Sequence, residues 1–251
     1  MRIRSPQAGV VVSAAVTTPA DIRAVLFDLD GTLLHTSPDL AAAAAMALAE
    51  CGLRGIDAAT IETFIGAGID GLVRRCLAHL GHAQEGAPFE TLRAAYVRHY
   101  EAVNGTHAAP YPGVLAGLEA MRAMGLSLGV CTNKAARFTE PLLERCNIGG
   151  YFDVVVSGDT LARKKPHPDM IEHAAQHWGT SISQILMIGD SGNDSAAARA
   201  AGCPVWLVPY GYNEGRPVQS LDCDGIVSGL DVAAQRLRDL QIPKVSSRVS
   251  D

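Results

Sequence analysis

The sequence predicts an α/β protein, a parallel sheet covered on both faces by helices, with an all-helical insert after the first strand. Three observations carry this. Short, wholly apolar runs alternate with helical patterns, the signature of parallel strands joined by crossover helices. The interval between Thr36 and Ala109 offers helical patterns and no strand. Four of the apolar runs are each followed by acidic, hydroxyl or basic residues, the side of an open sheet where ligands sit.

The first strand is Ala24–Phe27, which ends in Asp28 and Asp30. Residues two apart on a strand share a face, so these carboxylates crowd each other unless the chain turns, and Gly31 permits the turn. Two ionised carboxylates about 4 Å apart repel by about 4 kcal/mol at an effective dielectric near 20, so the pair calls for a cation or a proton. Helices then follow over Asp39–Cys51, Ala58–Ile65, Asp70–Leu80 and Pro88–Val103, separated by Gly-containing joints. Leu72, Val73, Cys76, Leu77 and Leu80 make an apolar stripe at helical spacing. "APYPGV" at 109–114 breaks the chain with Pro110 and Pro112 and returns it to the sheet. From there the strands Leu126–Cys131, Val154–Val156, Ile185–Ile188, Val205–Val208 and, weakly, Ile226–Val227 are expected. They alternate with helices Val114–Met124, Ala135–Cys146, Pro168–Trp178, Ser195–Ala201 and Leu230–Leu240. Residues 21–36 and 109–241 form the expected core and 37–108 the helical insert, with tails at 1–20 and 242–251.

The bulk properties fit an ordinary globular chain: 251 residues, 48% apolar, 19% charged and a net charge of −5. That balance offers no basic face for nucleic acid, and no apolar run reaches membrane-span length. Six scattered cysteines without a CxxC pair read as reduced thiols in a cytoplasmic protein. Arg2 and Arg4 precede an apolar patch from Ala8 to Val16, but Gly and Ser interrupt it, and the segment reads as a tail rather than an export signal. The oligomeric state stays open between monomer and homodimer.

The strand-end residues specify a chemistry. Asp28, Asp30, Gly31 and Thr32 follow the first run; Thr132, Asn133 and Lys134 follow the next; Lys164, Lys165 and Pro166 follow the third; and Asp190 to Asp194 follow the fourth. Together they suit a phosphate beside a hard cation. A carboxylate can attack phosphorus and split one displacement into two; Asp28, nearest the strand, is the expected nucleophile. Asp30, on the turn, is the expected acid for the leaving oxygen and base for water. Mg2+ favours oxygen ligands, here Asp28, Asp190 and the Asp30 backbone carbonyl, with Asp194 a ligand or a partner behind the ligands. Thr132 donates to a phosphoryl oxygen, backbone N–H groups near Leu29 and Asn133 add donors, and a lysine offsets the charge.

These segments resemble the haloacid dehalogenase superfamily in its phosphatase branch. "DLDGTL" at 28–33, Thr132 in "VCTNK", "KPHP" at 165–168 and "GDSGND" at 189–194 match its four motifs in order, and the third selects Lys165 over Lys164. The resemblance implies a Rossmann-like core, Mg2+ as cofactor, an aspartyl-phosphate and a helical cap at 37–108. "SPDL" at 37–40, "FIGAGIDGLVRRCL" at 64–77 and "AAGCPVWLVPYGYNEGRPV" at 200–218 are most similar to phosphoglycolate phosphatases, which implies hydrolysis of a small phosphorylated metabolite. Another small phosphate ester, or a sugar-phosphate mutase related to beta-phosphoglucomutase, is the alternative; a scaffold without catalysis would have lost at least one of these residues. The dehalogenases lack the second acid, so Asp30 favours phosphoryl transfer. Two positions depart from the pattern: His35 and Thr36 stand where an acid is usual, and Gly192 where a basic residue is common. "GAGIDG" at 66–71, with Gly68, is expected to face the site and close over substrate, with Arg74 and Arg75 the candidates to meet a substrate carboxylate.

Overall fold

The computed structural model describes residues 21–241. The expected tails at 1–20 and 242–251, including the Ala8 to Val16 patch, lie outside the described residues. In chain order the elements are β1 (Ala24–Phe27), β2 (Leu34–His35), α1 (Ser37–Glu50), α2 (Ala58–Glu62), α3 (Gly68–His79), α4 (Ala87–Val103), β3 (Ala109–Pro110), α5 (Val114–Ala123) and β4 (Ser127–Cys131). They continue with α6 (Ala136–Arg145), β5 (Val154–Val156), α7 (Asp169–Trp178), β6 (Ile185–Gly189), α8 (Gly192–Ala201), β7 (Val205–Leu207), β8 (Gly225–Ile226) and α9 (Leu230–Gln241).

Six strands form one parallel sheet in the order β5-β4-β1-β6-β7-β8. β1 lies between β4 and β6, and all four of its side chains are buried. The period of two sorts the strands into two cores. Val25, Phe27, Leu128, Val130, Leu186 and Ile188 join residues of α5 and α9 on one face. Ala24, Leu26, Ile185, Met187, Val205 and Leu207 join α7 and α8 on the other. At about 25 cal/mol per Å² of apolar surface removed from water, these two layers are the main stabilising term and make the C-terminal edge of β1, β4 and β6 a rigid platform.

Helices α1–α4 pack around a third apolar cluster. On α1 the buried positions Leu40, Ala43, Ala44, Ala47 and Leu48 follow helical spacing; on α3 they are Leu72, Val73, Cys76 and Leu77. The interval from 37 to 108 thus holds helices alone. Just outside it, β2 and β3 pair antiparallel, Leu34 with Pro110 and His35 with Ala109, forming a two-stranded neck where the chain leaves and re-enters the sheet. A two-residue strand has no periodicity to read, and the sequence offered no sign of this ribbon. All six cysteines are free. No helix among the described residues is long and apolar enough to cross a membrane.

Candidate active site

β1 and β6 deliver the acidic residues. Asp28 follows β1 directly, and its N–H donates to Ile188 O at 2.9 Å, which continues the ladder one residue past the strand. The chain then turns at Gly31, whose φ of +90° lies where only glycine is at ease. A Cβ there would stand 2.5 Å from Asp190 Oδ2, so the missing side chain also lets the first loop approach the fourth. Asp190 follows β6, accepts Thr32 Oγ1–H at 2.8 Å through Oδ1, and accepts the Tyr212 N–H through Oδ2. One carboxylate oxygen each of Asp28, Asp190 and Asp194 lie within 4.8 Å of one another.

Asp194 enters through a local helix signal. Ser191 is the N-cap of α8 and Asp194 its third residue, and the two form a reciprocal capping box. Asp194 Oδ2 accepts the Ser191 N–H, the Ser191 hydroxyl and the Asp190 N–H, while Oδ1 accepts Lys165 Nζ at 2.6 Å. Lys165 reaches Asp28 Oδ1 as well, at 2.9 Å. Its ammonium is thus clamped between two buried acids, and Lys164 plays no part in the cluster. Lys164 instead donates to Ala67 O at 3.0 Å.

The electrostatics follow from three acids facing one cation. Burial pushes the Asp28 carboxyl up to about 7 against the pull of Lys165, with Asp194 and Asp30 adding to the rise. Burial, then Asp28 and Asp194, hold Asp190 far above the carboxylate range. Burial alone would depress Lys165, but Asp194 and Asp28 outweigh it and keep the ammonium protonated. The residues fit a hard divalent cation: the cluster offers only oxygen donors, and its excess negative charge is what such an ion relieves. Asp190 accepts one protein donor on each oxygen, whereas Asp194 accepts three on Oδ2 and the Lys165 ammonium on Oδ1, which leaves Asp194 the least capacity for an ion.

Asp30 is held differently. Its Oδ1 accepts Thr36 Oγ1–H at 2.6 Å and pairs with Lys134 Nζ at 3.0 Å. Thr36 sits at the N-cap of α1 without capping it, because its hydroxyl is directed to Asp30. The Tyr212 hydroxyl accepts the Thr36 and Ser37 N–H groups in its place, both at 2.8 Å. At the departure from the family pattern, the Thr36 hydroxyl therefore contacts the acid itself. His35 turns away to the hydroxyls of Tyr212 and Tyr111.

The helical interval covers this edge. A partly open cavity of ≈ 40 Å³ is lined by Asp28, Asp30, Thr132, Asn133 and Lys134 from below, and by Gly66, Gly68, Ile69, Leu72, Tyr96 and Tyr100 from above. Asn133 Nδ2 donates to Gly66 O and to Lys165 O, both at 3.0 Å, so that amide holds the 66–71 joint against the sheet loops. At Gly68 (φ +76°) a Cβ would meet Asn133 O at 3.0 Å. Thr132 Oγ1 accepts the Lys134 N–H at 3.2 Å and keeps its own proton for a ligand.

Asp28, Asp30, Thr132, Asn133, Lys165, Asp190, Asp194 and Gly68 are thus brought to one place. Arg74 and Arg75 are not. Arg74 lies over the Phe89 ring at 4.5 Å, and Arg75 pairs with Glu214; neither borders the cavity. Arg74 lies off the α3 face that carries Gly68, Ile69 and Leu72, whereas Arg75, seven residues after Gly68, is drawn aside by Glu214 and Thr63 O. The sequence reading gave no role to Thr36, Tyr100 or Tyr212, and assigned none to Lys134 although it stands two residues after Thr132. Lys134 was legible from that neighbourhood; the two tyrosines were not, since only tertiary packing brings them here.

A family model described as haloacid dehalogenase-like hydrolase matches residues 25–208. The chain is 48% identical over 217 residues to a phosphoglycolate phosphatase of Thiobacillus denitrificans, covering 86% of this chain and 96% of that protein. It is 48% identical over 223 residues to the enzyme of the same name from Nitrosospira multiformis, covering 88% and 97%. Among solved structures, a predicted phosphoglycolate phosphatase from Haemophilus somnus 129pt superposes with a TM-score of 0.82 at 31% identity, covering 86% of this chain and 98% of that one.

Proposed function

The chain belongs to the haloacid dehalogenase-like hydrolase family, and we propose that it is a Mg2+-dependent phosphomonoesterase that hydrolyses 2-phosphoglycolate to glycolate and phosphate. The observation that carries the reading is the meeting of one carboxylate oxygen each of Asp28, Asp190 and Asp194 within 4.8 Å beside buried Lys165, at the edge of a cavity that Asp30 also lines. The name shared by its relatives supports the substrate.

The reaction follows from the side chains. A carboxylate oxygen of Asp28, rigid at the end of β1, attacks phosphorus. The bond from phosphorus to the ester oxygen breaks, and Asp30 gives its proton to the departing glycolate oxygen. Asp30 then takes a proton from water as that water attacks the aspartyl-phosphate, and the Asp28 carboxylate leaves. Thr132 Oγ1–H and the backbone N–H of Asn133 hold phosphoryl oxygens, since the Asn133 side-chain nitrogen is engaged by two carbonyls. Lys165 offsets charge on the nucleophile and the transferring group. Asp28, Asp190 and the Asp30 carbonyl would hold Mg2+, which would supply charge neutralisation at the phosphate. Asp194 acts behind these groups, fixing Lys165 and the loop after β6.

Residues 37–108 act as a cap over a core made of 21–36 and 109–241, with the β2–β3 neck as the hinge region. The cytoplasm is the expected compartment, supported by six unpaired thiols. A panel of phosphate monoesters assayed with Mg2+ and with chelator tests the reading. Metal-dependent phosphate release fastest from phosphoglycolate supports it; an isomerised sugar phosphate without phosphate release would move the protein to the mutases.

A further inference from the structure

We propose that Lys134, steadied by Tyr100, is the group that recognises the carboxylate of the substrate's leaving half, and so selects short phosphate esters with an anionic end. The proposal rests on the phosphatase reading above and names its specificity residue.

Lys134 is the one cationic side chain among the described residues that lines the cavity; Lys165 is sealed between Asp28 and Asp194, and Arg74 and Arg75 face elsewhere. The Lys134 ammonium is buried and makes two polar contacts, with Asp30 Oδ1 at 3.0 Å and Tyr100 Oη at 2.6 Å. An ammonium has three donors, so one N–H remains for a ligand. Tyr100 Oη accepts from Lys134, and its own proton meets no acceptor among the described residues. Two donors, one of them charged, therefore border the same cavity.

Position fixes what they can reach. Asp30 protonates the ester oxygen, and Lys134 is bonded to Asp30, so the ammonium stands beside the leaving oxygen rather than beside phosphorus. In phosphoglycolate one methylene separates that oxygen from the carboxylate. A longer leaving group would carry its charge past Lys134 into the apolar wall of Leu40, Ile65, Ile69 and Leu72. Lys134 comes from the loop after β4 and Tyr100 from α4, so the carboxylate site is complete only when the helical interval is seated on the sheet.

The test compares phosphoglycolate with 2-hydroxyethyl phosphate, which has the same length but a neutral end. The measured quantity is the ratio of kcat/KM for the two, which cancels any common loss from a disturbed Asp30 or from partly unfolded enzyme. Lys134→Gln is expected to lower the wild-type ratio by about ten- to a hundredfold, mainly through KM for phosphoglycolate, the scale of a lost charged hydrogen bond. Lys134→Arg should keep most of it, and Tyr100→Phe should lower it by a few-fold. Should Lys134→Gln not fold, the Tyr100→Phe and Lys134→Arg pair carries the test. Equal losses for both esters, with an unchanged ratio, would overturn the proposal and leave the phosphatase reading standing. A wild-type enzyme that does not prefer phosphoglycolate would overturn the substrate reading and the proposal together.

Discussion

Replacing Lys165 with Met removes the only positive charge that the described residues place inside the acidic cluster, while keeping an unbranched apolar stem. Lys165 is 3% exposed and contacts Asp194 at 2.6 Å and Asp28 at 2.9 Å, both carboxylates buried. Breaking a buried pair from one side typically destabilises by about 3–5 kcal/mol, because the stranded charge has no solvent. Two acids are stranded here, but proton uptake limits the loss, since Asp28 already titrates near 7. The expected loss is therefore about 3–5 kcal/mol at pH 7 in chelator. For a chain of this size that lowers Tm by roughly 6–20 °C. Mg2+ should return part of it, about 2.7 kcal/mol at a hundredfold excess over Kd. Thermal unfolding by circular dichroism, with and without Mg2+, measures both numbers. A variant within 2 °C of wild type in chelator would refute the argument that Lys165 neutralises the cluster.

The metal-free protein should lose stability as pH rises from about 4 to 7, because the Asp28 pKa is raised in the fold from 3.8 to about 7, so the folded state holds a proton that the unfolded chain releases. Urea titrations in chelator at several pH values read this, and added Mg2+ should flatten the trend. Tyr212→Phe removes the acceptor shared by the Thr36 and Ser37 N–H groups and should destabilise by about 1–3 kcal/mol in urea unfolding; no loss would mean that water replaces the hydroxyl. Thr36→Val deletes the 2.6 Å bond to Asp30 and should slow kcat by about tenfold, most for poor leaving groups, with KM little changed. Arg75→Ala removes the pair with Glu214 and a bond to Thr63 O and should leave the preference for phosphoglycolate over p-nitrophenyl phosphate intact; a selective rise in KM would return Arg75 to the site.

Much of this fold is legible because parallel strands are buried on both faces and read as unbroken apolar runs. Ala24–Phe27, Val154–Val156 and Ile185–Gly189 stand out for that reason. Element ends are less legible. α8 begins at Gly192 rather than Ser195 because Ser191 and Asp194 cap it, and the same four residues also read as a loop of ligands; Asp194 serves both purposes. α1 begins at Ser37, two residues earlier than the apolar spacing suggests, because Pro38 suits a first turn and Tyr212 supplies the acceptor. The strand-end clusters identify the chemistry, since each charge type follows its own run. What recognises the substrate is hidden: Lys134, Asp30 and Tyr100 come from three segments, and nothing in their spacing announces that they meet. Arg74 and Arg75 are candidates by charge alone, and charge does not show that Phe89 and Glu214 engage them away from the cavity.

The most direct test of the central idea is the stereochemical course at phosphorus, followed with an isotopically chiral phosphate ester hydrolysed in labelled water. Transfer to Asp28 and then to water comprises two in-line displacements and predicts net retention of configuration. Net inversion, which marks a single attack by water, would contradict the account.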